Sequence, residues 1–367
     1  MRANSSQFAV RRQPFWRGAG LLLILLAGQG AGTARGMIFY ATGDPTHNTS
    51  PPAGTLAGSG WNYQGQWSLF CGTAIAPHYF ITAKHVFGAV GGAFVYGGMT
   101  CTTTAAFEHP QADLRIWRVR ETLPSYAPLY TRRNEIGRAV VIMGRGCPRG
   151  GPVSTASSYD HELKGWYWGA SDNLMRWGQN RVSMTLVDPD SSAEVLKMDF
   201  DTNGGENEAT LSAGDSGGGV FMLDGATWKL AGINWAVEAL FNTNSQGDGF
   251  YAAIIDKGGL YGQETNGWAF TVETPQMQPS AFYATRISSY VAWIQQILAQ
   301  AIPPELWSAE RLDGNYAFEA GAVADAGAKT LQVAIPSGPR FYRLQDTVSR
   351  RITAITGGTN FLTISYQ

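Results

Sequence analysis

Short apolar runs separated by glycine, proline and small polar residues dominate this chain, and that punctuation predicts β-strands. Met37 to Tyr40 predicts a first strand, and Asp44 to Gly60, rich in Pro, Gly, Thr and Ser, an exposed loop. Trp67 to Ala76 and His78 to Ala83 stand either side of a proline-containing turn, as paired strands do. Gly91-Gly92 and Gly97-Gly98 bracket a short strand from Ala93 to Tyr96, and Leu114 to Val119 alternates with a period of two. Leu123 to Tyr130 reads as an extended linker. Ala139 to Met143, Arg181 to Val187 and Glu194 to Phe200 then form a second group of strands. A helical pattern emerges only at Ile287 to Ala301, where Tyr290, Ile294 and Ile297 recur at steps of three and four before Pro303-Pro304 stops it. Those prolines mark a boundary. Beyond it, Thr330 to Ile335 and Arg340 to Leu344 predict strands of a small β unit, with turns such as Gly357-Gly358-Thr359-Asn360.

One stretch breaks the β pattern. Arg11, Arg12 and Arg17 precede the apolar run Leu21 to Ala27, and small residues follow up to Ala34. A basic start, short apolar centre and small-residue exit predict a secretory leader over residues 1–34. The apolar run is short for a membrane span, which takes ~20 residues. An uncleaved anchor is the alternative, and the residues after Arg11-Arg12 fit a twin-arginine signal poorly. Without the leader's four arginines, 23 basic residues remain against 28 acidic, a net charge of −5. A mildly acidic protein is a poor partner for a phosphate backbone, so nucleic-acid binding is not expected. Sparse charge, 45 glycines and many aromatic residues suit a β-rich extracellular protein.

The chemistry concentrates in Leu211-Ser212-Ala213-Gly214-Asp215-Ser216-Gly217-Gly218-Gly219. A serine between an aspartate and three glycines lies in a backbone free to turn sharply. Such a turn can aim the amides of Gly214 and Ser216 at one point, giving a nucleophile and a cradle for an oxyanion. Upstream, Phe80 to Val86 is an apolar run carrying His85, and Asp113 opens the strand that ends at Val119. A serine hydroxyl needs a base that titrates near working pH, which histidine supplies.

In these residues the chain resembles the trypsin-like, chymotrypsin-fold serine proteases of secreted bacterial type. Thr82-Ala83-Lys84-His85 matches the histidine motif, Asp113-Leu114 the aspartate motif, and Gly214-Asp215-Ser216-Gly217-Gly218 the serine motif. Leu230 to Trp235 looks like the strand that flanks the substrate, and Phe282 to Ile294 like the last strand and closing helix. The resemblance implies an all-β fold of two barrels over residues 35–302 with the site in the cleft between them. Residues 305–367 are similar to the short β modules that end many secreted bacterial proteins. It further implies a secreted or periplasmic endopeptidase, with a cell-surface location as an alternative. The substrate would be protein or peptide, with no cofactor and no membrane contact after leader removal. His85 would be the base, Asp113 its orienting partner and Ser216 the nucleophile, with Gly214 and Ser216 as the oxyanion hole. The alternative is a catalytically inactive homologue that acts as an extracellular binding protein.

The departures are as informative. The family's usual Ile-Val-Gly-Gly start is missing. Asp215 is therefore expected to pair either with a processed N-terminus near Ile38 or with an internal donor. Thr210 stands where the family places its pocket floor, and Asn234, Trp235 and Ala236 would form the wall. With no charge at the floor, cleavage after small or medium uncharged residues is expected. Asn234 replaces a serine that touches the aspartate, which would weaken the support of Asp113. In the family the cysteine matching Cys71 usually bonds one directly after the histidine; Val86 stands there, so Cys71 to Cys101 would be a substitute disulfide, with Cys147 left over. Glu238 to Ser280 is far longer than the family's loop there and would serve as a lid, a substrate contact or surface decoration. Asp199, Asp201 and Asn203 match the opening of a calcium loop, but its twelfth position is Thr210 rather than glutamate, so a solvated turn is expected. His47, His78, His109 and His161 lie outside motifs and read as surface or packing residues.

Overall fold

The computed structural model describes residues 37–170, 172–264, 266–300, 302–319, 321–346 and 349–367. The leader predicted over residues 1–34 lies outside them. The described chain opens with β1 (Ile38–Phe39), β2 (Gln64–Trp67), β3 (Phe70–Ala76), β4 (Tyr79–Thr82), β5 (Ala93–Tyr96), β6 (Met99–Glu108) and β7 (Arg115–Val119). Strands β2 to β7 close into a barrel in the order β2-β3-β4-β7-β6-β5, with Gln66 opposite Val95 at the seam. Inward positions carry large rings, as alternation along each strand requires. Phe80 stacks on Phe94 at 3.9 Å, and Trp67 meets Trp117 at 4.8 Å.

The chain continues through β8 (Ala139–Gly144), β9 (Arg149–Ser154), β10 (Leu163–Trp168), β11 (Arg176–Val187), β12 (Glu194–Asp199), β13 (Ala209–Thr210), β14 (Gly219–Asp224) and β15 (Thr227–Val237). Next come β16 (Leu240–Asn242), β17 (Phe250–Ile254), β18 (Tyr261–Glu264), β19 (Gly267–Phe270) and β20 (Ala281–Arg286). A second closed barrel runs β11-β12-β20-β15-β14-β8 around Val140, Ile142, Leu196, Met198, Val220 and Phe282. Two closed six-stranded barrels in a mostly β chain define the chymotrypsin-like two-barrel fold.

Residues 238–280 are not an irregular loop. They supply four strands of a six-stranded sheet, β19-β18-β16-β17-β10-β9, completed by the stretch before β11. Val153, Phe241, Ala252, Ile254 and Leu260 form one small core there, and Ile38, Trp166, Phe200, Ala253 and Ile255 another. The sheet also buries Lys164 completely, with its Nζ 2.8 Å from Asp256 and 3.1 Å from Glu273. Charges enclosed this way are tolerated only as partners.

After β20 a short 3₁₀ turn (Ile287–Ser289) leads into helix α1 (Val291–Leu298), shorter than the expected 287–301. Tyr290 stands at the break between the two, and Ile294 and Ile297 bury the inner face. Among the described residues no helix is long and apolar enough to cross a membrane. The C-terminal strands are β21 (Glu305–Ala309), β22 (Ala317–Phe318), β23 (Val323–Asp325), β24 (Thr330–Ala334), β25 (Phe341–Gln345), β26 (Ile352–Gly357) and β27 (Phe361–Tyr366). They form a three-stranded and a four-stranded sheet around Leu306, Leu331, Val333, Ile364 and Tyr366. Arg120, just after β7, pairs with Glu305 at 2.7 Å and lies 4.3 Å over the Phe318 ring, joining this unit to the first barrel.

The expected Cys71 to Cys101 disulfide is not there, and no cysteine forms one among the described residues. Cys71 lies on β3 and Cys101 on β6, with β2 and β5 between them around the barrel, and a disulfide tolerates only close Cα pairs. Burial pushes the Cys71 thiol up to about 12 and the Cys101 thiol up to about 11, so both stay protonated core groups.

Candidate active site

His85 follows the end of β4, where the Thr82 hydroxyl donates to the Cys71 carbonyl at 2.9 Å and Val86 N–H closes a turn onto Ala83. Asp113 stands at the mouth of β7. Its Oδ1 accepts the His85 backbone N–H at 2.9 Å, and its Oδ2 lies 2.6 Å from His85 Nδ1. A carboxylate there fixes the ring proton on Nδ1 and leaves Nε2 as acceptor. Ser216 Oγ from the second barrel lies 2.8 Å from that Nε2. Side chains on two barrels thus form one hydrogen-bonded line, His85 30% exposed and Asp113 15%.

The turn that carries Ser216 depends on glycine. Gly214 has φ +100°, and a Cβ on it would stand 3.0 Å from Gly146 Cα and 3.1 Å from the Arg145 carbonyl. A Cβ on Gly217 (φ +77°) would come within 2.1 Å of Thr82 Oγ1. Both residues sit in a left-handed region that side chains avoid. Gly217 N–H donates to the Asn234 carbonyl at 3.0 Å, and Asn234 N–H to the Gly218 carbonyl at 2.9 Å, so β15 clamps the turn. Among the described residues, the N–H groups of Gly214 and Ser216 reach no acceptor, as an oxyanion hole requires.

Asp215 is completely buried beneath this turn. Its Oδ1 accepts Gly146 N–H at 2.6 Å, and its Oδ2 accepts Ser212 N–H at 2.8 Å, with the Ser212 hydroxyl at 3.1 Å. Of the two pairings open to it, the internal one is what the described residues display. Cβ atoms on Gly144 or Gly146 would strike the carboxylate, so those glycines make its room. Burial, only partly offset by the backbone donors, pushes the Asp215 carboxyl up to about 6. Ser212 and Gly146 were not legible as functional residues. Their signal, a small residue three before Asp215 and a Gly-x-Gly on β8's exit, is too common to read without coordinates.

The pocket residues divide. Thr210 is buried on β13, paired across to Ile38 of β1, and its hydroxyl has no partner among the described residues. The side chain of Asn234 makes no hydrogen bond to Asp113. Its Nδ2 donates to the carbonyls of Met143 (2.8 Å) and Asp215 (3.1 Å), so it braces the nucleophile's turn instead. Trp235 and Ala236 are half-buried at a bulge between β15 and β20, with Trp235 edge-on to Tyr283. Asp199 pairs with Lys197 at 2.7 Å, and the Asp201 backbone N–H donates to Glu208. Among the described residues, no group of three or more His, Cys, Asp or Glu side chains could hold a metal ion. Glu208, unmarked in the sequence, accepts from Asn180 at 2.8 Å, and burial pushes its carboxyl up to about 8.

No protein-family model matches the chain, and no curated protein matches it in sequence. Among solved structures it is similar to neuropsin, described as a serine protease expressed in the limbic system of mouse brain. That likeness covers 66% of this chain and 96% of neuropsin, at 14% identity and a TM-score of 0.40. The fold assignment rests on the two closed barrels.

Proposed function

We propose that this protein is a serine endopeptidase that hydrolyses peptide bonds through an acyl-enzyme on Ser216, and that it acts outside the cytoplasm. The observation that carries the reading is the unbroken line from Asp113 through His85 to Ser216, with contacts of 2.6 and 2.8 Å. In this reaction Ser216 Oγ attacks the scissile carbonyl carbon and its proton passes to His85 Nε2. The imidazolium, held by Asp113, gives that proton to the leaving amine as the C–N bond breaks. Water then adds to the acyl carbon, giving a proton to the same nitrogen, and that proton passes to Ser216 Oγ as the C–O bond breaks and the acid leaves. The amides of Gly214 and Ser216 meet the negative oxygen in each tetrahedral state. Thr210 brings no charge to the pocket floor, so the expected cleavage follows small or medium uncharged residues. The basic-then-apolar segment before Ala34 supports export.

A fluorophosphonate probe tests the reading. Labelling of the full chain at Ser216, abolished in Ser216→Ala, is the expected result. Absence of labelling in the wild type, or labelling that persists in the variant, overturns it.

A further inference from the structure

His109 lies outside the line of His85, Asp113 and Ser216, yet three parts of the molecule meet on it. Its Nδ1 accepts the N–H of Ala112 at 2.8 Å and that of Gln111 at 3.2 Å, closing the turn that delivers Asp113. Its own N–H donates to the Leu114 carbonyl at 2.9 Å, so Asp113 sits inside a loop fastened on both sides. Its carbonyl accepts Lys84 Nζ at 3.1 Å, which ties the loop to the residue before His85. Its ring stands edge-on to Tyr290 (4.7 Å) and Trp293 (5.1 Å) around the start of α1. A backbone N–H can only donate, so Nδ1 must offer a bare lone pair, and the ring is neutral with its proton on Nε2.

We infer that His109 is a positioning residue: its neutral ring holds the 109–113 turn so that Asp113 meets His85, and a proton on Nδ1 releases that hold. Its meaning for catalysis rests on the function proposed above; its geometry does not. Protonation turns Nδ1 into a donor facing two donors, and the turn loses both hydrogen bonds together. Burial, and then the charge of Lys84, hold the imidazole below its ordinary value. The grip is therefore complete at and above the usual imidazole range and fails as pH falls through the lowered value. The charged and titratable groups around the ring are Lys84 from the end of β4, Tyr290 from the helix side, and Glu108 and Asp113 from its own segment. Glu108 is already taken by Arg115, and the Tyr290 hydroxyl by the Glu194 N–H.

Two substitutions separate this role from packing. His109→Phe keeps a ring against Tyr290 and Trp293 but removes the acceptor. His109→Asn returns an amide oxygen near the place of Nδ1, cannot titrate, and gives up the ring. The rate of fluorophosphonate labelling at Ser216 is measured in the full chain from acid to neutral pH, with melting curves as a check on folding. At neutral pH His109→Phe should label about tenfold slower or worse, the scale of a small misplacement. His109→Asn should label faster than His109→Phe there, and its acid limb should be shallower than the wild type's by one proton. Asp215 also titrates on that side but is present in all three proteins, so it cancels. A wild-type rate in His109→Phe, or a wild-type acid limb in His109→Asn, overturns the inference. A second readout is the far-downfield proton resonance between His85 Nδ1 and Asp113, which needs no turnover. It should be lost in His109→Phe and survive in His109→Asn at acid pH where the wild type loses it. A resonance unchanged in His109→Phe defeats the role of His109 whatever the labelling. A wild type that keeps the resonance without labelling defeats the proposed function alone.

Discussion

The two barrels hold their halves of the site by opposite means. On the first, His85 and Asp113 are side chains at strand ends, partly open to solvent and joined by a short hydrogen bond between ionisable groups. On the second, Ser216 is fixed by backbone, with glycines at positive φ, a clamp from β15, and a wholly buried Asp215 served by neutral donors. In the proposed mechanism the group that passes a proton keeps water near it, because sealing it would disfavour its charged form. A group that must only hold its shape is sealed, because buried donors and acceptors are costly to leave unpaired.

That contrast can be broken in graded ways. Ser216→Ala should lower peptide turnover by on the order of 10⁵–10⁶-fold. Asp113→Asn, which keeps the shape but allows the wrong ring tautomer, should cost roughly 10⁴-fold in kcat. Stopped assays of purified variants check both, and a small effect of Asp113→Asn would deny the first barrel its charged role. Ser212→Ala strips a hydroxyl from beneath Asp215 without touching the reacting atoms. It should lower kcat by about tenfold to a hundredfold and leave KM nearly unchanged, less than losing an oxyanion donor outright.

Lys164→Met tests a region with the second barrel's sealing but no share in the chemistry. It leaves the buried Asp256 without its cation, and should cost about 3–5 kcal/mol of stability in urea unfolding. The labelling rate of the folded fraction should not move. The last test concerns pH. The folded-state values of Asp215 (about 6) and Glu208 (about 8) are both raised above the unfolded ones, so the folded state holds protons the unfolded state releases. Their stabilising contribution is complete below the ordinary carboxylate range and is lost as pH rises through about 6 and then about 8. Stability should fall across that window while labelling rises, and Glu208→Gln should flatten the upper part of the stability curve.

The barrels were legible because their strands are short, alternating and set off by Gly and Pro, and His85, Asp113 and Ser216 because each lies in a compact local motif. What escaped was set by contact between distant segments. The sheet of residues 238–280 was hidden because its strands are brief and two further strands from residues 149–168 complete it. The bracing by Asn234 was hidden because one amide can reach several carbonyls, and nothing local says that Met143 and Asp215 are the ones in range. The partners of the His109 ring were hidden for the same reason, since Tyr290 and Trp293 are remote in the chain. The substitute disulfide failed because pairing by elimination ignores the order of strands around a closed barrel.

The sheet built from 149–168 and 238–280 is sewn from two pieces of chain that bracket most of the second barrel. Neither piece can be trimmed alone, for removing the later one would strip β10 of its neighbour and leave a bare ladder of amides and carbonyls, an invitation to intermolecular pairing. A shortened version of this protein would have to shed both pieces together, rejoining β8 to β11 and β15 to β20 across the gaps.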